Sequence, residues 1–158
     1  MKKAGLVAML LMIQASHVMA ADDAQQDKGF WYAQTSVYTK HYSPDPDHNN
    51  NQDLIGIERN QASGWVFGGA TFRNSFSQRS NYAYVGKRYE SAEYPVYLKV
   101  TGGLLQGYSG QYKDKIPLNH FGIAPVIIPS VGAHYGPLAA ELVFLGANAA
   151  MVTTGIRF

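Results

Sequence analysis

The sequence predicts an all-β fold in which eight antiparallel strands close into a barrel. Three observations carry this. Beyond residue 20 no stretch keeps a helical period, whereas Val96 to Tyr108 alternates, with Val96, Leu98, Val100 and Leu104 on one face and Tyr97, Lys99, Thr101 and Gly103 on the other. Segments of this kind recur eight times, joined by alternately short and long connections. Cysteine is absent, so an exported chain must gain stability without disulfides, and a closed sheet does so by leaving no unpaired edge. An even strand number, tight turns at one end and longer loops at the other describe a barrel of the outer membrane, where every backbone group must be satisfied between strands. A soluble lipocalin-like barrel shares the strand count, but strands five and eight carry too little charge for outer faces in water.

Residues 1–20 stand apart. Lys2 and Lys3 form a basic head, Ala4 to Ile13 is apolar, and Val18-Met19-Ala20 offers small residues for cleavage. The apolar run is shorter than a spanning helix needs, so residues 1–20 read as a signal peptide and 21–158 as the barrel domain. Removing the two signal lysines from the 13 basic residues leaves 11, equal to the 11 acidic ones. A near-neutral mature chain argues against nucleic acid as a partner, since phosphate binding needs an excess of Lys and Arg.

The strands follow in order. Trp31 to Tyr42 is aromatic and β-branched and runs into the loop SPDPDHNNNQD, whose Pro, Asp and Asn favour turns. Leu54 to Asn60 is a short second strand, and Gln61 to Gly64 a tight turn. In the third, Trp65 to Asn74, residues Val66, Gly68, Ala70 and Phe72 share one face, while Thr71, Arg73 and then Ser75 share the other. After a polar loop at 77–81 come Tyr82 to Tyr89 and Val96 to Tyr108. His120 to His134 is interrupted by Pro125 and Pro129, neither of which can donate to a ladder, so this strand is expected to be unzipped on one side. Leu138 to Leu145 and Ala150 to Phe158 complete the count, the last ending on an aromatic residue.

This topology brings chemistry-bearing residues together. If the first strand rises to end at His41, the second descends and the third rises to end at Ser75. Both residues then stand on the same rim with one strand between them. Lys40, Arg73 and Arg79 lie near that rim and suit phosphate groups.

The segment FRNSF, the run PVIIPSVGAHYGP from Pro125 to Pro137, the histidine ending the first strand and the terminal aromatic resemble the outer-membrane lipid A palmitoyltransferases, the PagP family. The resemblance spans most of the mature chain. It implies transfer of a palmitoyl group from a phospholipid donor to a hydroxyl of a lipid A acceptor; a monomer is the simplest assembly, and no cofactor or metal is expected. In that family a histidine at the end of the first strand and an Asp-Ser pair after the third are catalytic; here these positions hold His41, Asn74 and Ser75. His41 is implied as general base, and Ser75 as nucleophile or oxyanion donor. Asn74 stands where the family has an aspartate. A carboxamide can orient a neighbour but carries no charge, which leaves Asp45, Asp47 or Asp53 of the first loop as candidates for that part. Gly86 occupies the place of the glycine that forms the floor of the acyl-chain pocket, about 20 Å below the rim near Ser80. Pro125 and Pro129 correspond to a lateral entrance for lipid; a bulge at the rim is the plainer reading.

Three other patterns compete. Asp45, Asp47, Asn49, Asn51 and Asp53 alternate like calcium ligands, but the sixth place lacks glycine and the twelfth lacks glutamate. His41-Tyr42-Ser43 resembles the His-x-Ser of lipid A deacylases, except that it lies in the first strand and is followed by Pro44. A non-enzymatic structural or adhesive barrel would use the polar first loop as its working surface.

Overall fold

The computed structural model describes residues 28–43, 49–74, 76–107, 122–147 and 149–158. The strands are β1 (Phe30–His41), β2 (Ile55–Asn60), β3 (Trp65–Arg73), β4 (Arg79–Glu90), β5 (Val96–Gln106), β6 (Ile123–Tyr135), β7 (Leu138–Leu145) and β8 (Ala149–Arg157). They form one closed antiparallel barrel in sequence order, β1 sealing against β8. The signal-peptide reading of residues 1–20 lies outside the described residues.

The alternation of each strand sorts chemistry between two faces. Outward stand large apolar residues such as Ile55, Ile57, Phe67, Val85, Leu98, Leu104, Ile127 and Val131, all exposed. Inward stand Glu58, Lys99, Glu141, Arg157, Thr101 and Ser130, all buried. An apolar exterior around a polar interior is the reverse of a water-soluble barrel and is what hydrocarbon outside would require.

The ladders are steeply staggered. From Arg88 a row of facing residues crosses Lys99, Ser130, Val143 and Met151 to reach Thr39 near the end of β1. In the other direction Gly86 connects through Val66 and Asn60 to Phe30 at the start of β1. Rows therefore climb around the barrel, as strand tilt demands. The end at which β1 finishes is called the upper rim below.

Strand limits shift by a few residues from the sequence reading, and one shift matters. The segment 77–81, expected as a polar loop, contributes its last residues to β4, because Arg79, Ser80 and Asn81 pair with Arg73, Phe72 and Thr71. Ser80 is polar yet wholly buried; polarity marks the barrel's inside here, not a loop.

The lower half of the interior is filled by a charge network. Lys99 Nζ lies 3.1 Å from both carboxylate oxygens of Glu58 and 2.7 Å from Glu141 Oε1. Tyr84 donates to Glu58 at 2.7 Å and Tyr97 to Glu141 at 2.8 Å. Glycines on adjacent strands make room for these rings: a Cβ on Gly68 would come within 2.7 Å of the Tyr84 ring, and one on Gly132 would overlap Tyr97. Further down, Glu90 gathers Arg88 at 3.0 Å, His134 at 3.8 Å and Arg157 at 3.9 Å. Both guanidiniums also pack on the Phe30 ring, 4.5 and 4.0 Å from its centre. Three carboxylates thus face three cations; Lys99 bonds two of those carboxylates directly, whereas the buried Arg157 guanidinium makes no hydrogen bond among the described residues and meets Glu90 only at 3.9 Å.

Above this layer the interior changes character. Leu54, Val143 and Met151 form a buried cluster, packed against Ala70, Phe72, Ile128 and Leu145.

Candidate active site at the upper rim

His41 enters the barrel because β1 carries an irregularity. Thr35 pairs with Thr154 and Ser36 with Thr153, but the next pair is Tyr38 with Val152, so Val37 is extra. Below this bulge Phe30 and Tyr32 face inward; above it Thr39 and His41 do. One added residue inverts the alternation. Had the same residues paired in regular register with no bulge, His41 would face outward with Lys40 inside.

The imidazole is held from the loop. Its Nδ1 lies 2.7 Å from Asn50 Oδ1. A carboxamide oxygen only accepts, so Nδ1 carries the proton and, in the neutral ring, Nε2 is the basic nitrogen. Asn50 belongs to a short folded segment. Asn49 Nδ2 donates to Asn51 O at 2.7 Å, and Asn51 N returns a bond to Asn49 Oδ1 at 3.0 Å. The segment is fastened to β3, where Arg73 N donates to Gln52 O at 2.7 Å and Asn49 Nδ2 reaches Asn74 O at 3.5 Å. The asparagines therefore link the end of β1 to the β3–β4 turn across short β2.

Asn74 is fully buried and builds that turn. Its Oδ1 accepts from Phe76 N at 2.9 Å and Gln78 N at 3.0 Å, while Nδ2 donates to Ser80 Oγ at 3.1 Å. Its side-chain oxygen and nitrogen are both engaged within the turn, which follows from the tendency of Asn to cap its own loop. Ser75 lies outside the described residues, as do Asp45 and Asp47. Asp53 is exposed and pairs loosely with Arg73 at 4.0 Å. Asn50, which bonds the imidazole, is a residue that sequence reasoning missed. Its only signal was that the Asn-rich loop follows His41 directly.

The three basic residues sit as follows. Lys40, Arg73 and Arg79 are exposed at the upper rim. Arg73 and Arg79 are direct partners across the β3–β4 ladder, a like-charge pair that costs free energy unless an anion lies against it.

Gly86 faces inward on β4, paired with Val66 on one side and Thr101 on the other. A Cβ there would run into Val100 O and come within 2.8 Å of Thr101 Cγ2. Glu58, Lys99, Glu141, Tyr84 and Tyr97 were not assigned any role from the sequence. The signal available was a charged residue in the middle of each of three strands.

Pro125 and Pro129 face the exterior, partnered across β5 by Leu104 and Val100. The β5–β6 ladder runs unbroken from Ile123 to Ala133, whereas the β6–β7 ladder covers only Ser130 to Tyr135. Along its upper half β6 has no ladder to β7. Among the described residues no group of His, Asp and Glu is arranged to hold a metal ion.

No family model matches the chain, and no curated protein does either. One similar solved structure is Ail, the attachment invasion locus protein of Yersinia pestis, in complex with the heparin analogue sucrose octasulfate. It aligns with a TM-score of 0.44 at 14% identity, covering 82% of this chain and 97% of that one.

Proposed function

We propose that this barrel resides in the bacterial outer membrane, exported by residues 1–20, and transfers a palmitoyl group from a phospholipid to lipid A. The observation that carries the reading is the inward-turned His41, held by Asn50 at a rim that stands above an apolar interior with a charged floor. An extended acyl chain inserts from the rim among Leu54, Phe72, Ile128, Val143 and Met151, toward the level of Gly86. Lipid enters sideways where β6, with Pro125 and Pro129, lacks its ladder to β7. Arg73 and Arg79, with Lys40 beside them, hold the phosphates of the acceptor, which relieves their like-charge contact.

In the reaction the lipid A hydroxyl oxygen attacks the ester carbonyl of the donor as His41 Nε2 takes its proton. Collapse of the tetrahedral intermediate breaks the ester C–O bond. The departing lysophospholipid oxygen takes the proton back from the imidazolium, so the enzyme ends unchanged. Ser75 acts as a donor to the oxyanion, or as a nucleophile that carries the acyl group between two such steps. Asn74 shapes the turn that presents it.

Mass spectrometry of lipid A from cells expressing the protein tests this, beside His41→Ala and Ser75→Ala variants at matched levels. The expected result is a palmitoyl-sized gain that both substitutions abolish. Loss of an acyl chain would make the protein a deacylase. An unchanged lipid A profile would favour a structural or adhesive barrel.

A further inference from the structure

The lower rim carries its outward-facing strand cations on one side only. Trp31 pairs with Arg59 across the β1–β2 ladder, and Trp65 with Lys87 across β3–β4. The Arg59 guanidinium lies 5.7 Å from the centre of the Trp31 ring and the Lys87 ammonium 5.0 Å from that of Trp65. Each cation is also tethered, Arg59 to the Lys28 carbonyl at 2.9 Å and Lys87 to the Ser63 carbonyl at 2.8 Å. A ring face and one carbonyl occupy only part of the donor set, since a guanidinium offers five N–H groups and an ammonium three. On the other side of the same rim the exposed large apolar residues include Tyr94, Val96, Tyr135, Leu138, Ile156 and Phe158, and the exposed charge there is the anionic Glu93. The lower bases of those strands, Lys99 and Arg157, are buried in the interior.

We propose that the lower outer face of β1–β4 binds the headgroup of an anionic phospholipid. Arg59 and Lys87 take the phosphate, and Trp31 and Trp65 seat the glycerol and the first methylenes of the chains. The physical basis is charge complementarity at a fixed height: two ordered cations, each backed by an indole, lie where strand ends meet the interface. A zwitterionic lipid brings its own ammonium to that place and gains less. This site lies at the opposite end of the barrel from His41, so its lipid is neither acyl donor nor acceptor. The inference rests on the membrane-spanning reading above, and one experiment separates the two.

Both tryptophans of the chain belong to this face, which makes their fluorescence a local probe. The protein is refolded into vesicles that mix ordinary phosphatidylcholine with brominated phosphatidylglycerol or brominated phosphatidylcholine, and quenching is read against bromolipid fraction. The expected result is quenching by both, with phosphatidylglycerol favoured about tenfold, as two cations near a charged surface allow. That preference should fall toward unity in Arg59→Gln/Lys87→Gln and in high salt. Equal quenching by the two lipids would overturn the proposal while leaving membrane insertion intact. A preference that survives both the double substitution and high salt would overturn the assignment to these residues. Absence of quenching by either lipid would overturn the membrane reading and the site with it. If the double variant fails to refold, the salt series on the unaltered protein decides between these outcomes.

Discussion

The upper and lower halves of the barrel interior are held by different forces, although the same strands pass through both. Below, Lys99, Arg88 and Arg157 meet Glu58, Glu141 and Glu90, and tyrosines lie against glycines. Above, Leu54, Val143 and Met151 pack with Phe72, Ile128 and Leu145 alongside the buried but uncharged Thr39, Asn74 and Ser80 and the imidazole of His41. A buried ion network that loses one member leaves a charge unpaired, so it tolerates no displacement. Apolar contacts hold no directional bond, and another apolar group can take their place at small cost. The lower half is therefore a fixed floor, and the upper half is where the proposed acyl chain would have to displace apolar packing.

The largest test of this contrast is Lys99→Met. It leaves Glu58 and Glu141 buried without their shared cation and should cost about 3–5 kcal/mol in urea unfolding from lipid vesicles. The triple substitution Glu58→Gln/Lys99→Met/Glu141→Gln should recover most of that loss. If the single change cost almost nothing, the network would not be a floor. Substituting His41→Gln addresses the other half. The barrel should still fold, but acyl transfer should fall about 100-fold or more, as for a lost general base. Activity retained in this variant would remove His41 from the mechanism. Next in size, Gly132→Ala drives a methyl into Tyr97 and should destabilise by about 1–3 kcal/mol, with no change in the acyl group transferred. Smallest, Asn50→Ala should lower kcat about tenfold, the worth of one hydrogen bond, and shift its pH profile, while KM and unfolding stay as they were. An unaltered pH profile would make Asn50 a loop residue only.

The eight-stranded barrel was legible in the sequence, whereas the contrast inside it was not, and the reasons are physical. The alternation of Tyr97, Lys99 and Thr101 against Val96, Leu98 and Val100 marks β5 as a strand with a polar and an apolar side, and the structure turns the polar side inward. The bulge at Val37 was invisible, because nothing in SVYTKH distinguishes an extra residue from a continued strand. Placing His41 at the rim needed only strand counting; turning it inward needed the bulge. The ion network was hidden for another reason. Glu58, Lys99 and Glu141 are far apart in sequence and lie on separate ladder rows, so only the stagger of the closed sheet brings them together. Asn50 escaped because a loop rich in Asn reads as solvated by default.

The seal between β1 and β8 has a consequence in time. Trp31 and Phe158 exchange backbone hydrogen bonds at 2.7 and 2.8 Å, joining the first strand to the last residue of the chain. No contact reported among the described residues spans more sequence, so its loop-closure entropy is met last and rewarded only when the other seven ladders are in place. Folding of this chain should thus be slow and all-or-none at its final step. Removing Phe158 alone should speed unfolding of the finished barrel more than it slows its folding.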